Sequence, residues 1–122
     1  LPEAPQRLLA VFQPHRYSRT AEFLEPFASA LSQADAVLLA PLYAAGESPI
    51  PGISSDALAE AVRRIAPHLA VDVTTSIDEL ADAVARHSQP GDLVLAMGAG
   101  DVNGLWSRLQ ERNEPTALPL AA

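Results

Sequence analysis

The feature that most constrains this chain is an alternation of two hydrophobic rhythms. Short continuous apolar runs are followed by stretches in which apolar residues recur every three or four positions. A continuous run belongs to a strand covered on both faces, and the three-to-four spacing belongs to a helix with one buried side. The runs are Arg7–Phe12 (RLLAVF), Ala36–Ala40 (AVLLA), a third within His68–Val73, and Asp92–Met97 (DLVLAM). The helical spacings fall on Phe23, Leu24, Phe27, Ala30 and Leu31, then on Leu58, Ala61, Val62 and Ile65, and then on Ile77, Leu80, Ala81 and Val84. A last helix is expected over about Val102–Glu111. Strands alternating with helices of this length connect by right-handed crossovers. The predicted fold is therefore α/β: a three-layer, mostly parallel open sheet with helices on both faces, Rossmann-like.

Local signals set the boundaries. Ser18 or Thr20 is expected to cap the first helix, Ser54 or Ser55 the second, and Ser76 with Glu79 to form a capping box on the third. Pro26 sits awkwardly in the first helix, so either a kink there or a short first turn followed by the main helix with Pro26 at its first position is predicted. Pro67 ends the second helix, and Pro90-Gly91 makes a turn. The tail from about Asn113 is expected to fray.

A chain of 122 residues suits one domain, 1–122, and 48% hydrophobic content is enough to fill its core. With no cysteine, disulfides, thiolate nucleophiles and cysteine-bound zinc are excluded. The apolar runs are too short to span a bilayer, and the opening residues do not read as a signal peptide. The start on Leu1 is what a piece of a longer protein would give. A net charge of −7 argues against general nucleic-acid binding. All eight basic residues are arginine, and Arg7, Arg16 and Arg19 cluster near the start with only Glu3 opposing them. That local positive region suits one carboxylate or phosphate.

In an open α/β sheet the ligand edge lies beyond the carboxyl ends of the strands. Three loops belong there: 13–19, 41–52 and 98–104. In the first, Gln13, His15, Arg16, Tyr17, Ser18 and Arg19 precede a helix. Arg16, Arg19, His15 and helix N–H groups form a candidate anion site. The plainer reading has His15 pinning the loop, the arginines in water and Tyr17 packing. In the second, Tyr43 either borders a cleft or packs at a strand end. Glu47 either binds an ammonium or a metal, or caps a turn; the second is favoured. The loop is proline-rich, and it is expected to be less ordered than the strands. The third, Gly98-Ala99-Gly100-Asp101, fails as a dinucleotide fingerprint because its next glycine comes one residue late. It also fails as a phosphate loop, because the chain has no lysine. Glycines for a tight turn and Asp101 as a helix cap explain it more simply. His15, His68 and His87 are scattered, so no metal site is expected, and no nucleophilic triad can be placed.

At these same loops the chain resembles a known family. Val11-Phe12-Gln13-Pro14-His15-Arg16-Tyr17-Ser18-Arg19-Thr20, Tyr43-Ala44-Ala45-Gly46-Glu47-Ser48-Pro49-Ile50 and Gly98-Ala99-Gly100-Asp101 match, in order and spacing, the C-terminal domain of the Mur ligases that join L-alanine to UDP-N-acetylmuramate. Tyr17 and Asp101 are modest departures. The resemblance implies a cytoplasmic bacterial enzyme of peptidoglycan precursor synthesis, in which ATP phosphorylates the muramate carboxylate and L-alanine attacks the acyl-phosphate. It implies that Arg16, Arg19 and His15 stabilise charge in the cleft, and that Tyr43 and Glu47 border its amino-acid side. ATP and Mg2+ would be held mainly by upstream domains, which would also be this domain's partners, so the isolated chain is expected to be inactive. A related ligase that attaches a tripeptide to the same sugar, and a non-catalytic domain for a small anion, are the alternatives.

Overall fold

In a computed structural model, residues 7–98 and the backbone of 117–119 are described. The elements run β1 (Leu8–Gln13), α1 (Tyr17–Glu22), α2 (Leu24–Leu31), β2 (Ala36–Leu39), α3 (Ser55–Ile65), β3 (Ala70–Val73), α4 (Ile77–His87), β4 (Leu93–Gly98) and β5 (Ala117–Pro119). The strands form one sheet in the order β3-β2-β1-β4-β5, and every pairing is parallel. The helix expected over 102–111 and the rest of the 98–104 loop beyond Gly98 lie outside the described residues. The expected fraying from Asn113 does not hold at 117–119. There the chain adds an edge strand, with Ala117, Leu118 and Pro119 beside Val94, Leu95 and Ala96. Pro119 is tolerable there because an edge strand has one side free of ladder partners.

The strand alternation builds two cores. Leu9 and Val11 of β1 point with Ala36, Leu38 and Val94 toward α4, meeting Leu80, Ala81 and Val84. Leu8, Ala10 and Phe12 point the other way with Val37 and Leu39, toward Ala28 and Leu31 of α2 and Leu58 and Val62 of α3. β2 is covered on both faces, which is why its sequence carries no polar alternation. Each fully buried leucine there contributes roughly 1.5–3 kcal/mol relative to exposure.

The cap signals of the later helices are used. Ser54 Oγ accepts from Ala57 N at 3.1 Å, and Ser76 Oγ accepts from Glu79 N at 3.0 Å. Glu79 reaches one residue further back than a standard box, accepting from Thr75 N and Thr75 Oγ1. The first helical segment takes the second expected form, a short helix followed by the main one, with Pro26 two residues further in than expected. It breaks at Phe23, three residues before Pro26, and Pro26 becomes the third residue of α2. A proline in a first turn removes a donor that has no intrahelical partner in any case. Neither Ser18 nor Thr20 caps α1. Its N-cap is Arg16, with no side-chain cap, and Thr20 Oγ1 donates back to the Arg16 carbonyl at 2.7 Å.

Candidate functional site

Because all strands are parallel, their carboxyl ends share one edge. The chain leaves β1 toward β2 on one side, while β4 lies on the other. β1 and β4 therefore flank the topological switch point, where such sheets hold ligands. Gln13 and Gly98 end these strands and are register partners. Gly98 has φ 128°, and a Cβ built on it would fall 2.7 Å from the Gln13 carbonyl oxygen. The two strand ends thus approach closely only because residue 98 has no side chain. Gln13 is itself buried at 2% exposure, and its Nε2 donates to the Pro41 carbonyl at 3.0 Å.

Beyond Gln13, the loops after β1 and β2 are joined. Tyr43 N donates to the Pro14 carbonyl at 2.8 Å, and Arg16 N donates to the Tyr43 carbonyl at 2.7 Å. His15 and Tyr43 form a parallel bridge, and their rings stack 5.6 Å apart at 10°. Arg16 adopts φ 70° and ψ 142°, a region almost confined to glycine. Its backbone is fixed from both sides, by Tyr43 on its N–H and by Thr20 on its carbonyl.

Glu47 completes the junction. Its carboxylate accepts from Ser18 N at 3.0 Å and from Ser18 Oγ at 2.5 Å. The Ser18 hydroxyl, then the Ser18 N–H, with smaller help from the Tyr17 N–H and the Arg16 charge, hold the Glu47 pKa below its ordinary 4.5 against slight desolvation. The expectation of open helix N–H groups for an incoming anion is therefore corrected at Ser18. A carboxylate of the chain already occupies that donor. Glu47 thus caps α1 from the neighbouring loop, a partner that neither reading of Glu47 named.

Arg16 and Arg19 are exposed on the rim of a depression of about 390 Å³, together with His15, Ser18, Glu22 and Phe23. Elsewhere arginines find partners inside the domain. Arg7 meets Asp92 at 3.8 Å, Arg64 meets Glu25 at 3.5 Å, Arg86 meets Asp72 at 3.2 Å, and Arg63 donates to the Val71 carbonyl. Among the described residues, neither Arg16 nor Arg19 has an ion pair of this kind. Two exposed guanidiniums on one concave wall can grip a carboxylate or phosphate through charge-assisted bonds. Tyr43 is 39% exposed and backs His15 on the same wall. Among the described residues no group of three or more acidic or histidine side chains is placed to hold a metal ion.

The structure thus brings His15, Arg16, Arg19, Tyr43 and Glu47 together. Sequence reasoning missed the pairing of Ser18 with Glu47, since nothing local links residues 29 apart. It also missed Gln13 as a clamp, although a lone amide closing an apolar strand was a usable signal.

A doubly wound parallel sheet with two exposed arginines in the loop that follows β1 defines an α/β domain with a basic patch at its ligand edge. Over residues 1–100 the chain matches the family model described as Mur ligase, glutamate ligase domain, and it belongs to that family. It is 64% identical over 89% of its length to a UDP-N-acetylmuramate–L-alanine ligase of Synechococcus sp. strain CC9605, covering 23% of that protein. It is 59% identical over its whole length to the ligase of the same name from Synechococcus sp. strain RCC307, covering 25%. With the corresponding protein of Sorangium cellulosum strain So ce56 the identity is 40% over 93% of the chain. The chain spans about a quarter of the length of the relatives it matches.

Proposed function

We propose that this chain is the C-terminal domain of a cytoplasmic, ATP-dependent ligase that joins L-alanine to UDP-N-acetylmuramate in peptidoglycan precursor synthesis. The relatives' names supply the amino acid and the sugar nucleotide, and favour L-alanine over a tripeptide. The observation that carries the reading is the pair of exposed arginines, Arg16 and Arg19, at the sheet's ligand edge, neither of them in an ion pair among the described residues.

The chain has no lysine to pair with phosphates, and the described residues present no carboxylate cluster for a divalent ion. ATP and Mg2+ belong on this reading to the other domains of the ligase. The part assigned to this chain is to hold negative charge on the reacting carboxyl or on the amino-acid carboxylate, while His15 and Tyr43 shape the wall. Such donors count most where charge develops in a water-poor cleft.

The test is steady-state kinetics of the ligase with Arg16→Ala and Arg19→Ala. Removing one such contact is expected to cost roughly 2–4 kcal/mol, about 30- to 1000-fold in turnover. Lysine is expected to restore activity only in part, because it lacks the planar fork. Variants that keep kcat and every KM within twofold while folding normally would remove the arginines from the site.

A further inference from the structure

The α1 helix should be poorly formed on its own. It has six residues, its N-cap Arg16 supplies no side-chain cap, and its first turn holds no acidic residue. A helix this short is marginal in water even with good formers. Yet α1 carries Arg19, and Arg16 stands at its start. What fixes this segment comes from the next loop. The chain turns through Ala45 at φ 54° and Gly46 at φ 87°, and delivers Glu47 to the N-terminus of α1. One carboxylate oxygen takes the Ser18 N–H and the other takes the Ser18 hydroxyl. The delivering loop is braced in turn by the two backbone bonds between Tyr43 and the 14–16 segment.

We infer that Glu47 is a positioning residue of the ligation: it caps α1 from the neighbouring loop, and so sets where Arg16 and Arg19 stand, without making the substrate contact itself. A carboxylate with both oxygens committed to Ser18 is badly placed to be the main partner of an incoming ammonium. It neutralises the helix end it caps and lies near enough to Arg16 for their charges to interact. This inference rests on the arginine reading given above.

The discriminating experiment is a mutant cycle in the complete ligase: Glu47→Ala, Ser18→Ala, and Glu47→Ala added to Arg16→Ala/Arg19→Ala, each with kcat, the KM of every substrate and a melting temperature. A catalytic group displaced by about an ångström can lose on the order of a hundredfold in rate. Glu47→Ala is therefore expected to lower kcat roughly 10- to 100-fold, with the KM for L-alanine changed less than about threefold. Ser18→Ala should give a weaker loss of the same kind, and it carries the test if Glu47→Ala does not fold. In the double-arginine background, Glu47→Ala should have little further effect, since what it positions is already gone. A large rise in the KM for L-alanine with kcat unchanged and Ser18→Ala silent would make Glu47 a substrate contact and overturn the inference. A lower melting temperature with kcat intact would reduce Glu47 to a purely structural cap and also overturn it. If the arginine variants keep full activity, the arginine reading falls and this inference with it. If they lose activity while Glu47→Ala does not, this inference alone falls.

Discussion

Gly98→Ala probes the closest backbone approach at the switch point. Two separable effects act at this position. Residue 98 has φ 128°, where an L side chain is strained by roughly 1–2 kcal/mol. The new methyl would also lie 2.7 Å from the Gln13 carbonyl oxygen and 3.2 Å from Gln13 N and Cβ. The nearest atom is backbone, held in the β1–β4 ladder, so it cannot swing aside. Relieving such an overlap costs typically 1–3 kcal/mol. Less the roughly 0.5–1 kcal/mol of chain entropy that alanine recovers, the sum is about 1.5–4 kcal/mol. For 122 residues the unfolding entropy is about 0.26 kcal/mol per kelvin. The melting temperature should therefore fall by roughly 6–15 °C. Gly91→Ala is the internal control. It has φ 92°, but nothing lies within 4 Å of its added Cβ. It should lose only the conformational part less the chain entropy that alanine recovers, roughly 2–4 °C. Thermal unfolding followed by circular dichroism measures both. If Gly98→Ala melts no lower than Gly91→Ala, the strand ends are not in tight contact and the reasoning fails.

Arg16 offers a second backbone test, since glycine accepts φ 70° and alanine does not. Strain relief less the greater chain entropy of glycine leaves about 0.5–1 kcal/mol, so Arg16→Gly should melt roughly 2–4 °C above Arg16→Ala; an equal or reversed order would contradict the strained geometry. The pH dependence of Glu47 has a definite sign. Its folded pKa lies below 4.5, so its stabilisation is complete above that value and is lost as pH falls through the folded pKa. The stability gap between the wild type and Glu47→Gln should hold constant from pH 8 to 6 and close in acid, and unfolding curves in which it stays open at pH 3 would count against the cap.

The parts of the fold written in neighbouring residues were legible in the sequence. Ser54 and Ser76 act within their own first turns, and the apolar runs of β1, β2 and β4 need no distant information to be recognised. A mostly parallel sheet was legible from the alternation of strands and helices, while the strand order was not. What escaped notice depends on distant partners. The capping of α1 by Glu47 is decided by a loop that lies beyond β2. β5 is three residues long and ends in proline, so only its pairing with β4 identifies it. The site residues stood out by type and place, while the division of labour between Glu47 and the arginines depended on which oxygen met which donor.

The joining of the two loops has a mechanical consequence. Tyr43, Pro14, Arg16, Ser18 and Glu47 are cross-tied at several points over a few ångströms. A wall tied in this way has no flap to fold down and no hinge between its halves. It can approach a ligand only by travelling with the sheet behind it. On the function proposed for this chain, closure over a substrate is then a displacement of the whole body. Cutting the Ser18–Glu47 tie would turn a rigid jaw into two loose fingers, each keeping its arginine or its tyrosine but no longer arriving together.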